Sequence, residues 1–113
     1  MRSEKFSSET VEAKRRACKI AQELIEGDDH FLDFVVELNT LGNRIYAEIW
    51  DTEFHVFGVI ASDTDHIPLT SVRKYSAKRW LEKCDAEMKE IIDFYRKEIQ
   101  TACRDIISKH GNA

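Results

Sequence analysis

The chain has 113 residues, with 17 Lys and Arg against 21 Asp and Glu (net charge −4), 42% apolar and 34% charged residues, four Gly and one Pro. One domain of this length buries a core without a disulfide or metal staple, which excludes a disordered tail, a collagen-like repeat and a disulfide scaffold. The acidic balance argues against a general nucleic-acid binder, and no run approaches 18 consecutive apolar residues, so neither nucleic acid nor a membrane is an expected partner.

Residues 1–7 have no apolar targeting core and are read as a flexible lead-in to a single domain spanning 1–113. Ser8 is placed to cap a first helix running to Glu26, with Ala13, Ala17, Ile20, Ala21 and Leu24 on one face and Gly27 as a left-handed stop. Asp28 or Asp29 then caps a second helix, with Phe31, Phe34, Val35, Leu38 and Leu41 inward and Gly42-Asn43 ending it.

The middle supports two readings. Ile45–Trp50 and Phe54–Ala61 are rich in β-branched and aromatic residues and would pair as a β-hairpin closed by Asp51-Thr52-Glu53. Alternatively Asp51 caps a third helix with Phe54, Phe57, Ile60 and Ala61 on one face. No other segment reads as a strand to complete a sheet, so the expected class is mainly α, a compact helical domain with a long C-terminal helix. The alternative is α+β with a central hairpin at about 44–61. Pro68 forces Ile67 out of the α region, making 62–75 an extended connection.

From Ser76 to about Lys109 there is neither Pro nor Gly. Leu81, Cys84, Met88, Ile91, Ile92, Tyr95, Ile99, Ala102, Cys103 and Ile106 recur in steps of three and four. Ser76 is the expected cap and Gly111-Asn112 the stop. At ~1.5 Å per residue such a helix is about 50 Å long, so it bends, overhangs or is covered by a second copy of the chain. Trp80 and Phe94 lie off the core stripe and are expected to widen it by packing on a second layer.

Cys18, Cys84 and Cys103 form no metal-ligand spacing, and no signal segment precedes them; they read as small core or groove residues of a reduced, cytoplasmic protein. Lys14, Arg15, Arg16 and Lys19 form a basic cluster that reads as a solvated helix face.

Two constellations carry chemistry. Asp63, Thr64, Asp65 and His66 place two carboxylates beside an imidazole. They lack the spacing of a calcium loop, and neither a nucleophile elbow nor a phosphate cradle accompanies them. Glu48, Asp51, Glu53, Asp63 and Asp65 give the middle an excess of negative charge, with Tyr46 and Trp50 as aromatic anchors, a pattern suited to capturing a basic partner.

The run from Phe54 through Pro68 reads F-x-x-F-x-x-I-x-S-x-T-D-H-x-P, and Phe94-Tyr95-Arg96 and Ala102-Cys103-Arg104 follow on the last helix. In these motifs, over roughly residues 13–109, the chain resembles a family of small uncharacterised bacterial proteins. The resemblance implies a bacterial source and no particular activity.

The function expected from these features is a non-catalytic protein-binding module of a bacterial cytosol, in its most specific form an immunity- or antitoxin-like protein that masks a basic effector. The expected binding residues are Glu48, Trp50, Asp51, Glu53, Asp63, Asp65 and His66, with no catalytic residue, metal or cofactor. The first alternative is a small hydrolytic or metal-assisted enzyme in which Asp63, Asp65 and His66 converge with Glu48 or Glu53. The second is a structural homodimer formed through the long helix.

Overall fold

In a computed structural model, which describes residues 8–27 and 29–111, the chain forms four α-helices and a 3-10 turn, with no strand among the described residues. The helices are α1 (Ser8–Glu26), α2 (Phe31–Ile45), α3 (His55–Asp63) and α4 (Lys78–His110); the 3-10 turn spans Thr70–Tyr75. The expected flexible lead-in at 1–7, the cap at Asp28 and the stop at Asn112 fall outside the described residues.

The apolar stripes meet as their spacing demands. Ala17, Ile20 and Ala21 of α1, Val35, Leu38 and Ile45 of α2, Phe57 and Ile60 of α3, and Cys103 and Ile106 of α4 share one core and are fully buried. Helices α1 and α3 each pack against both α2 and α4. The C-terminal half of α4 supplies its residues fully buried in this core, while Met88, Ile91, Ile92 and Tyr95 pack against it partly buried; before Ile99 the one buried residue of α4 is Cys84. Cys84 joins Leu32 and Ile67 in a small second cluster, which packs the connection around Pro68 between α2 and α4. Arg73 of the 3-10 turn donates two bonds to Asp85, at 2.8 and 3.0 Å, and ties that connection to α4. The molecule measures 45 × 26 × 24 Å, and α4 sets its long axis.

The helical reading of the middle holds and the hairpin does not, because Phe54, Phe57 and Ile60 fall on one side only at helical spacing. Several expected boundaries are corrected. Gly27 does not adopt a left-handed conformation; the left-handed residue at this corner is His30 (φ 58°), directly before α2. Asp29 is not the cap of α2, and Asp51 (φ 65°) precedes α3 without capping it. Ser76 closes the 3-10 turn by donating its amide to Arg73, and α4 starts two residues later without a side-chain cap.

Gly42-Asn43 does not end α2, which runs on to Ile45. Gly42 has a packing role instead. A Cβ there would stand 2.7 and 2.8 Å from Phe54 carbons and 2.9 Å from Ile49, closer than real Cβ atoms approach. Gly58 of α3 makes the same allowance, with Ile49 Cδ1 only 2.5 Å from its would-be Cβ. Ile49 is thus wedged between a glycine of α2 and a glycine of α3, which brings the two helices to one fixed separation. Trp80 and Phe94 do not find a second layer: Trp80 is 40% and Phe94 76% exposed.

Gly42→Ala is expected to destabilise the fold by about 2 kcal/mol despite alanine's better helix propensity, because a packed ring must move. Gly27→Ala, which meets nothing within 4 Å, is expected to be neutral or mildly stabilising. Urea unfolding of both variants checks this, and equal stabilities would contradict it.

Candidate functional site

Leaving α2, the chain turns extended at Tyr46 and then reverses sharply. The Thr52 hydroxyl donates to the Ile49 carbonyl and accepts the Phe54 amide at 3.2 Å, a side-chain-closed turn that delivers Glu53 and Phe54 inward. The Glu53 side chain is 2% exposed. Its carboxylate accepts the Tyr46 hydroxyl at 2.7 Å and His110 Nε2 at 2.7 Å, with Lys109 Nζ 3.4 Å away. An ionised carboxylate only accepts, so His110 Nε2 carries the proton. Burial pushes the Glu53 carboxyl up, but the bonds from His110 and Tyr46, a backbone bond and the Lys109 charge outweigh it and hold it at about 2. The rings of Tyr46, Phe54 and His110 contact one another beside the carboxylate, with centroids 6.0 to 6.2 Å apart.

Glu53 therefore does not form part of an exposed acidic rim, and Tyr46 is not a free aromatic anchor; both are committed to the end of α4. The other expected binding residues are exposed but dispersed. Glu48 and Asp51 follow α2, with the Asp51 amide donating to His55 Nδ1 at 3.3 Å. Asp63 ends α3 beside Tyr95, whose phenol is pushed up first by burial and then by the Asp63 charge. Asp65 sits 3.9 Å from His66 Nδ1, and His66 Nε2 pairs with Glu87 of α4 at 3.0 Å. Glu53 does not converge with His66 as a hydrolytic site of that kind needs. Glu53 binds His110 and His66 binds Glu87, anchor points about 35 Å apart along one helix. Among the described residues, no group of three or more His, Cys, Asp and Glu is arranged to hold a metal ion.

A groove of about 620 Å³ lies between α3 and α4. Its apolar surface comes from Val56 and Val59 of α3 and Tyr95 and Ala102 of α4; Glu98 and Asp105 supply carboxylates, Thr101 a hydroxyl and Lys97 one cation. Thr52, Glu53 and His55 close one end, and Asp63 stands by Tyr95 at the other. The acidic side of this groove is thus built largely by α4, from residues that sequence reasoning had not singled out. The signal was available: Phe94, Glu98, Thr101 and Asp105 repeat at four, three and four, which marks one flank of the helix beside its core stripe.

Trp50, 46% exposed, lines a separate groove with Asn39, Asn43, Gly58 and Ser62. Its indole meets His55 edge to face at 5.0 Å, so this ring pair forms the ridge between the two grooves. The basic cluster of α1 is partly structural, since Arg16 clamps Glu37 of α2 with bonds of 2.7 and 3.0 Å. Cys84 and Cys103 are buried, and burial pushes the Cys103 thiol up to about 12, while Cys18 donates to the Ile106 carbonyl at 3.6 Å. No described helix is long and apolar enough to cross a membrane. Comparison with protein-family models, curated proteins and solved structures finds no match.

The Glu53 carboxyl titrates lower when folded (about 2) than at its ordinary value of 4.5, so its contribution is complete above pH 4.5 and is lost as pH falls towards 2. The expected loss is on the order of 3 kcal/mol. Glu53→Gln is expected to lower stability at neutral pH and flatten the acid limb; urea unfolding between pH 7 and pH 2 measures both. An acid limb as steep in the variant as in the parent chain would contradict the assignment.

Proposed function

We propose that this chain is a protein-binding module of a bacterial cytosol, without catalytic machinery of its own, that takes a basic segment of its partner into the α3–α4 groove. The observation that carries the proposal is the pairing of an apolar surface (Val56, Val59, Tyr95) with the carboxylates of Glu98 and Asp105 in one open concavity. Apolar contact supplies affinity there, while the carboxylates steer and select a cationic partner. In its most specific form the reading is of an immunity- or antitoxin-like protein that covers a basic surface of an effector.

Capture from the source cell's lysate at low salt is expected to retain one stoichiometric basic protein. Asp63→Lys, or Glu98→Lys with Asp105→Lys, is expected to weaken that complex at least tenfold, with a smaller salt dependence and an unchanged helical spectrum. Affinity that is indifferent to both salt and these reversals would refute the proposal.

One observation favours a second reading, a homodimer built on α4. Phe94 is 76% exposed on a half-helix whose only buried residue is Cys84. On that reading, sedimentation at micromolar concentration gives a dimer that Phe94→Asp converts to monomer. A monomeric parent chain removes it.

A further inference from the structure

The second groove, about 420 Å³, is lined by Asn39, Asn43, Trp50, Gly58 and Ser62 among others, and none of its lining residues is charged. Carboxamides, a hydroxyl and an indole in a concavity without charge suit a neutral ligand that both donates and accepts hydrogen bonds. Asn39 and Asn43 stand four positions apart on α2, which sets their Cβ atoms about 6 Å apart on one face. That separation is close to the two-residue repeat of an extended chain, ~6.7 Å, so two successive same-side peptide units of a strand come into register with the two carboxamides. A helical ligand satisfies its own main chain and would offer them nothing.

The floor of the groove is shaped for close approach. A Cβ at Gly58 would lie 3.3 Å from Asn39 Oδ1, so the glycine leaves that amide uncrowded. Asn43 commits one amide hydrogen to the Asn39 carbonyl at 3.0 Å, which fixes its side chain along the helix. Across the His55–Trp50 ring pair the groove adjoins the acidic one.

We infer that the basic partner segment is bound as an extended chain: it leaves the α3–α4 groove over the His55–Trp50 ridge, and Asn39 and Asn43 then hydrogen-bond its main chain. This rests on the function proposed above and adds the conformation of the ligand and the residues that read it. Side-chain chemistry is selected in the first groove; in the second, recognition depends on main-chain geometry and on an apolar side chain against Trp50.

The test is a nuclear magnetic resonance titration of the full chain with a synthetic octapeptide of alternating Arg or Lys and Leu or Val, and with the same peptide N-methylated at alternate bonds in its C-terminal half. The expected result is that the plain peptide shifts the Asn39 and Asn43 side-chain amides and the Trp50 indole N–H together with the amides of Val56, Val59 and Glu98. Methylation is expected to abolish the Asn shifts and weaken binding about tenfold, the value of one or two lost hydrogen bonds. Asn39→Ala with Asn43→Ala is expected to cost the plain peptide the same factor and the methylated peptide nothing. Shifts confined to Val56, Val59 and Glu98, and insensitive to methylation, overturn the inference while leaving the proposed function in place. Shifts in neither groove overturn both. Shifts of Trp50 and the two Asn residues with millimolar N-acetylglucosamine and not with either peptide would assign the groove to a sugar and likewise overturn the inference.

Discussion

The close approach of α2 and α3 is the constraint on which the rest of the molecule hangs. Ile49 sits where any Cβ at Gly42 or Gly58 would be, and the Phe54 ring presses on Gly42 from the same side. With both glycines in place, the nine-residue excursion between the helices folds down as a packed layer. Its exit is then aimed at the C-terminal end of α4, and Glu53 meets His110 there without any slack in the chain. Everything described as a site lies on this arrangement: the α3–α4 groove along one side of α3, the Asn39–Trp50 groove on the other, and the His55–Trp50 ridge between them.

The Glu53–His110 pair illustrates why a charge inside a small domain is tolerated. A lone buried carboxylate would cost several kcal/mol, but here three donors, two of them on α4, share the negative charge. The cluster links residues 57 positions apart and holds the last turn of a helix whose first half is packed on one side only. The free end of α4 is in turn restrained by polar clamps: Arg73 on Asp85 and His66 on Glu87. His66 and Arg73, on either side of Pro68, are therefore engaged in fastening a helix.

The same geometry separates charge from aromatic anchor. In the sequence Trp50, Asp51 and Glu53 are neighbours, yet the reversal at Asp51 turns Trp50 out into one groove and Glu53 into the interior. The acidic side of the α3–α4 groove is instead supplied by Glu98 and Asp105, nearly fifty residues later in the chain.

Much of the architecture was legible in the residues. The stripes of α1, α2 and α4 follow from apolar spacing alone, because each helix must bury one face whatever its partner is. Cys84 and Cys103, assigned to the core as small apolar groups, lie there. Helix ends were less legible: Gly27, Gly42 and Ser76 look like stops or caps by composition, but Gly42 is held inside α2 by its packing on Phe54 and Ile49, and Ser76 bonds Arg73 in the preceding 3-10 turn. The region 44–61 stayed open between hairpin and helix because Ile49, Phe54 and Phe57 suit either, until contact with two glycines on separate helices selected one. The candidate site was the least legible part. Local sequence places residues on a face of their own helix, and Glu98 with Asp105 could be put on one flank of α4 in this way. Which flank faces a groove, and that the carboxylate of Glu53 turns inward to His110, depend on how helices far apart in the chain pack together. Only the tertiary structure decides those distances.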